Sequence, residues 1–195
     1  MIKKLKHTKE QESEKAKDLS ILLGLADLEL KSFVFEAKLH FSSYKIEIHE
    51  VIGDILESIG FNKVSITRDG DTNNRMDAII IDDVQSIPIE IKSPKEVEYV
   101  NIKSIRQALE NKIVLLSRKF YPTTPDTTSL AIGFNYPAIR SGVYELIDDI
   151  EATYNIKIGI IDFEDLLTCF YNVIVLKKEF DLNKIYNLKG KFNDY

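Results

Sequence analysis

Residues 76–96 read MDAIIIDDVQSIPIEIKSPKE, and the fold turns on them. An acid, Asp77, opens the apolar run Ala78–Ile81. The polar break Asp82–Ser86 follows, and a second β-type run, Ile87–Lys92, carries Glu90 and Lys92. Side chains along a strand alternate between faces with a period of two. Ile87, Ile89 and Ile91 therefore share one face, and Glu90 and Lys92 share the other. Folded as a hairpin, the two runs bring Asp77 beside that polar face. Two carboxylates together can share a hard divalent cation such as Mg²⁺, which prefers oxygen ligands and keeps several waters. Such an ion activates water and stabilises charge on a phosphate. A lysine beside it holds or polarises that water, or shields developing negative charge. The triplet alone is a loose pattern, since an edge hairpin with a solvated Glu–Lys pair reads the same way.

Upstream, Tyr44–Gly60 reads as a helix. Ile48, Val51, Ile52, Ile55 and Ile59 keep a three-and-four spacing, and Gly60 is a natural stop. Glu47, Glu50, Asp54 and Glu57 form an acidic row that reads first as a solvated face. Lys63–Arg68 alternates like a strand, and Asp69–Arg75, DGDTNNR, has turn composition. Its D-x-D-x-N start hints at a calcium loop, but the sixth position is Asn74 and the twelfth Ile80. Pro88 lacks an N–H and belongs at a strand start or bulge.

Downstream of Ser93-Pro94, a helix is predicted over Glu98–Phe120, with Ile102, Ile105, Leu109, Ile113, Leu116 and Phe120 as its apolar stripe. Tyr121–Ser129 reads as a loop, Leu130–Phe134 as a strand, Gly142–Tyr154 as a helix, Ile156–Ile161 as a strand and Phe163–Tyr171 as a helix. The tail, Asn172–Tyr195, is mixed, with room for one more helix. Before all of this, residues 3–18 are charged, and Leu19–Leu39 is dense enough in apolar residues for one or two helices. The expected division is a helical segment or linker over 1–43 and a domain over 44–195. Three consecutive strands, then strands alternating with helices, imply an α/β fold with a mixed central sheet flanked by helices.

The chain has 195 residues, 44% hydrophobic and 29% charged, as in an ordinary globular domain. Its net charge of −5 argues against an autonomous nucleic-acid binder, which usually shows a basic face. Residues 141–170 are the most acidic, with Lys157 their single base. One cysteine, Cys169 in an apolar stretch, excludes a disulfide framework within the chain and reads as a buried thiol. No apolar run reaches membrane-spanning length, and the acids after the Lys-rich start do not suit a signal peptide, so a cytoplasmic protein is expected. His7 and His40 read as surface or packing residues. No phosphate loop, zinc-spaced histidine pair or nucleophile elbow is present. His49 adjoins Glu50 but points about 100° away on a helix, so adjacency carries little.

The order α-β-β-β-α-β, with Asp77 at the second strand and Glu90-Ile91-Lys92 on the third, resembles the PD-(D/E)xK nuclease superfamily over about Tyr44–Phe134. Beyond that, IKIGIIDFEDLL is similar to the end of Fok-type cleavage domains of type IIS restriction enzymes. The resemblance implies a restriction-endonuclease-like core. Asp77 and Glu90 become metal-ligand carboxylates and Lys92 the catalytic lysine. Glu50 matches the acid that many members carry on the preceding helix to position metal or water. Gln107 is the candidate for approaching DNA. The family's proline before the aspartate is replaced here by Met76.

The implied function is a Mg²⁺-dependent DNA endonuclease domain or subunit of a restriction system, with Mn²⁺ able to substitute. Its partners would be double-stranded DNA and a recognition domain or partner subunit, in a homodimer or heterodimer. Two rivals stand beside it. One is a non-catalytic nuclease-fold module that binds a protein or nucleic acid, and the other is a different PD-(D/E)xK enzyme, such as a junction resolvase or transposition nuclease.

Overall fold

The computed structural model describes residues 19–43, 48–67 and 76–193. His7, the whole turn Asp69–Arg75 and the start of the helix read from Tyr44 lie outside these residues, as does the division set between 43 and 44. The described elements run α1 (residues 19–24), α2 (Leu30–Ser43), α3 (Ile48–Ser58), β1 (Val64–Ile66), β2 (Ala78–Ile80), β3 (Ile87–Lys92), α4 (Ile102–Leu116), β4 (Ser129–Gly133), α5 (Val143–Tyr154), β5 (Ile158–Asp162), α6 (Phe163–Phe170), a π-turn (Tyr171–Val175), α7 (Asn183–Tyr186) and β6 (Gly190–Lys191). This is an α/β fold with a mixed sheet, as the sequence predicts.

The six strands lie in chain order. β1, β2 and β3 are antiparallel to one another, and β4, β5 and β6 continue parallel to β3. Ile87, Ile89 and Ile91 face a large core with Ala78, Ile80, Leu130 and Ile132, under α2, α3 and α6. Leu22, Phe33 and Phe41, from before residue 44, belong to that same core. In α3, Ile52, Ile55 and Leu56 are buried, each contributing about 1.5–3 kcal/mol of hydrophobic stabilisation. The other sheet face, with Ala131, Ile158 and Ile160, is covered by α4 and α5 through Ile105, Ala108, Val143, Ile147 and Ile150. Among the described residues no helix is long and apolar enough to cross a membrane. Cys169 is buried, as the sequence reading expects.

Two features differ from the sequence reading. The helix predicted from Glu98 begins at Ile102, because Tyr99 bridges Asn135 and Val100 donates its N–H to Asn135 O at 3.2 Å, which keeps that stretch extended. A capping box then starts α4. Asn101 Oδ1 accepts the Ser104 N–H at 3.0 Å, and Ser104 Oγ accepts the Asn101 N–H at 3.3 Å, a device whose loss costs about 1 kcal/mol.

The second difference concerns the buried side of α4. It is formed by Ser104, Ile105, Ala108, Asn111, Lys112 and Leu115. Of the predicted stripe, Ile102, Ile113, Leu116 and Phe120 are exposed, Phe120 almost entirely. Apolar residues occur at helical spacing on both sides of this helix, and the inward side is the one that carries polar groups.

Candidate active site

The site lies where the β2–β3 ladder ends. Ala78 pairs with Ile89, and the register runs antiparallel, so one further step places Asp77 opposite Glu90. The ladder does not continue to that step. Instead the Asp77 side chain takes up the next β3 donor: Oδ2 accepts the Ile91 N–H at 2.7 Å. The Asp77 main-chain carbonyl meanwhile accepts the Thr67 N–H at 2.8 Å, tying the residue to the end of β1. Asp77 is thus held from both neighbouring strands.

Glu90 projects from β3 toward α4 and is 2% exposed. Its two oxygens are shared out. Oε1 lies 2.8 Å from Lys92 Nζ, and Oε2 accepts a hydrogen bond from Asn111 Nδ2 at 3.0 Å. Lys92, one alternation further along the same face, keeps only 12% of its side chain exposed. The alternation read from the sequence therefore holds: Glu90 and Lys92 face one side, and Ile87, Ile89 and Ile91, which alternate with them, face the core.

Burial pushes the Glu90 carboxyl above its usual range, and the nearby Asp77 charge adds to that, while Lys92 and Asn111 restrain it. Burial likewise raises Asp77, opposed by the Ile91 N–H and by His49 and Lys92. For Lys92, burial works to lower the ammonium, but its bond to Glu90 and the charges of Glu90, Glu96 and Asp77 outweigh it and the net direction is upward. Two desolvated carboxylates beside one ammonium leave a cluster short of positive charge. A hard cation with oxygen ligands suits that donor set. Asp77 and Glu90 could hold an ion between them, with water completing its shell, and among the described residues no three His, Cys, Asp or Glu side chains converge as a metal cluster.

The other residues singled out in the sequence are placed as follows. Glu50 is in the first turn of α3 with its side chain exposed. Its neighbour His49, half-buried, is the α3 residue whose charge is felt at Asp77. Gln107 is one turn before Asn111 on α4, half-buried, and its Oε1 is enclosed without a hydrogen-bond partner among the described residues.

Asn111 and His49 are the site residues that the sequence reading passes over. The signal for Asn111 is an amide buried on a helix four residues past Gln107. Nothing in the sequence marks His49 apart from its place beside Glu50.

Neither protein-family models, nor curated proteins, nor solved structures yield a match to this chain.

Proposed function

We propose that this chain is the cleavage domain or subunit of a Mg²⁺-dependent DNA endonuclease of restriction type, hydrolysing phosphodiester bonds with metal-activated water. The observation that carries the reading is the meeting of Asp77 and Glu90 at the frayed end of β2–β3, with Lys92 bound to Glu90 at 2.8 Å. The αβββαβ order from α3 to β4 supports it.

Asp77 and Glu90 would hold the ion through carboxylate oxygens. When bound, Mg²⁺ supplies a more acidic water and neutralises charge on the phosphate. Lys92, anchored by Glu90, aims ammonium protons at the same place and stabilises the charge that develops during attack. Asn111 and the Ile91 N–H keep the two carboxylates from rotating away, and the burial of Glu90 strengthens each of these interactions.

A recognition domain or partner subunit delivers this domain to double-stranded DNA, because the chain is net acidic and sequence readout requires side chains in a groove. The acids of α5, with Asp148 and Asp149 exposed, repel a phosphate backbone and face solvent or protein instead.

The test is incubation of plasmid DNA with the chain, alone and with its DNA-recognition partner, in Mg²⁺ and in EDTA, beside Lys92→Ala. Cleavage should need the ion and fall by at least ~10²-fold in the mutant. Cutting by Lys92→Ala at the parent rate, or cutting undiminished in EDTA, would remove the reading.

A further inference from the structure

His49 reaches the site by a route that can be traced residue by residue. Gly53, one helical turn later on α3, has no side chain, and a Cβ there would lie 3.1 Å from Ile66 of β1. Ile66 pairs with Ala78, the residue after Asp77, and Thr67 donates its N–H to the Asp77 carbonyl. Glu57 Oε1 accepts the Val64 N–H at 2.9 Å while Gly53 lies by Ile66, so α3 and β1 run in opposite senses, and one turn back from Gly53 leads past Ile66 toward Thr67 and Asp77. His49 stands there, and its charge acts on Asp77. Its Nε2 is shut off from solvent and has no hydrogen-bond partner among the described residues. A buried ring nitrogen is nearly always satisfied by protein or by ordered water. Asp77, the carboxylate that feels the His49 charge, is read as a metal ligand.

We propose that His49 is a positioning residue of the active site, whose Nε2 holds a water in the shell of the cation bound by Asp77 and Glu90. It stands one residue before Glu50, the acid to which the resemblance gives a role on this helix. The role rests on the metal-dependent reading above. Among the described residues no three candidate ligand side chains converge, so the contact is assigned to water rather than to direct ligation. Outer partners of this kind commonly change ion affinity as much as activity.

The probe is Mn²⁺, titrated into the full chain and followed by the paramagnetic signal of the free ion, with a thermal melt of each variant alongside. Alanine is the best helix former, so His49→Ala keeps α3. His49→Ala should bind Mn²⁺ about 10-fold more weakly than the parent. His49→Gln, whose amide can also hold a water, should stay within about 3-fold of it. Asp77→Asn should lose the ion. Unchanged affinity in His49→Ala, or equal losses in His49→Ala and His49→Gln, would overturn the role of His49 while a loss in Asp77→Asn left the metal site standing. Equal binding by the parent and Asp77→Asn would instead overturn the metal site itself, and this inference with it.

Discussion

Asn111 Nδ2 donates to Glu90 Oε2 at 3.0 Å, so the carboxylate that Lys92 grips by one oxygen is fixed by α4 at the other. Glu90 is held between a helix and its own strand. Asn111→Ala removes the helix side and leaves a buried carboxylate oxygen without its donor, at a cost of about 1–3 kcal/mol. It also removes one of the groups that restrain the rise of the Glu90 carboxyl. An ion binds the ionised carboxylate, so Mn²⁺ affinity should weaken as pH falls. In Asn111→Ala that weakening should begin at higher pH, with affinity down about 10-fold at neutral pH. Mn²⁺ titration across pH 5–8 checks this, and identical profiles would show that Asn111 does not support the site.

Gly133 pairs with Lys92 on one side and Asp162 on the other. A Cβ at this position would sit 2.5 Å from Val100 Cγ2 and 3.3 Å from the Val100 nitrogen. Val100 is buried and precedes the α4 cap, so it has little room to retreat. Gly133→Ala should therefore cost about 1–3 kcal/mol by overpacking. Urea melts measure it, and a variant as stable as the parent would show that the Val100 segment moves freely.

Lys112 is fully buried on α4 and donates to Thr123 Oγ1 at 2.7 Å. Burial pushes its ammonium down to about 8, against a partial attraction from Asp126. The folded protein thus binds this proton more weakly than the unfolded chain. Stability is reduced below pH 8, and the penalty disappears as pH rises from 8 through the ordinary lysine range. Lys112→Met removes the penalty and loses one hydrogen bond, so at pH 7 it should be about 1–2 kcal/mol more stable than the parent. Near pH 10.5 the gain should be gone. Urea melts at the two pH values decide the matter, and a less stable Lys112→Met at pH 7 would mean that Thr123 and Asp126 outweigh desolvation.

Asp162 ends β5 and caps α6, accepting the Asp165 N–H at 2.8 Å. Beside it, Asp165 is hydrogen-bonded to the Tyr136 hydroxyl. Burial, with the Asp165 and Glu164 charges added, pushes the Asp162 carboxyl up to about 6, against the pull of the Asp165 N–H and Lys38. The folded state holds this proton longer than the unfolded chain does. Its contribution to stability is therefore lost as pH rises from about 4 to 6. Asparagine caps a helix as well as aspartate does. Asp162→Asn should match the parent at pH 4 and exceed it by up to about 3 kcal/mol at pH 8. Comparing denaturant midpoints at both pH values tests this, and a constant difference would assign the effect to something other than the Asp162 proton.

The strand alternation over Ile87–Lys92 is enough by itself to put Glu90 and Lys92 on one face and three isoleucines on the other. Strand period is a local property, and the structure keeps it. The mixed sheet is legible for the same reason, because each strand and helix from 48 to 170 carries its own periodicity and stop signals. Two-residue β6 has too few residues to show a period, and its pairing with β5 depends on the gap that Gly159 leaves for Leu188. The inward face of α4 is decided only in three dimensions. Apolar residues at Ile113, Leu116 and Phe120 read as the better stripe, yet Asn111 and Lys112 turn inward because Glu90 and Thr123, distant along the chain, offer them partners. The same holds on α3. The resemblance singles out Glu50, whereas the α3 charge felt at Asp77 is that of His49, on the helix whose Gly53 packs against Ile66. A helix carries its periodicity in its own residues, but which of its sides meets a site is set by the surface against which it packs.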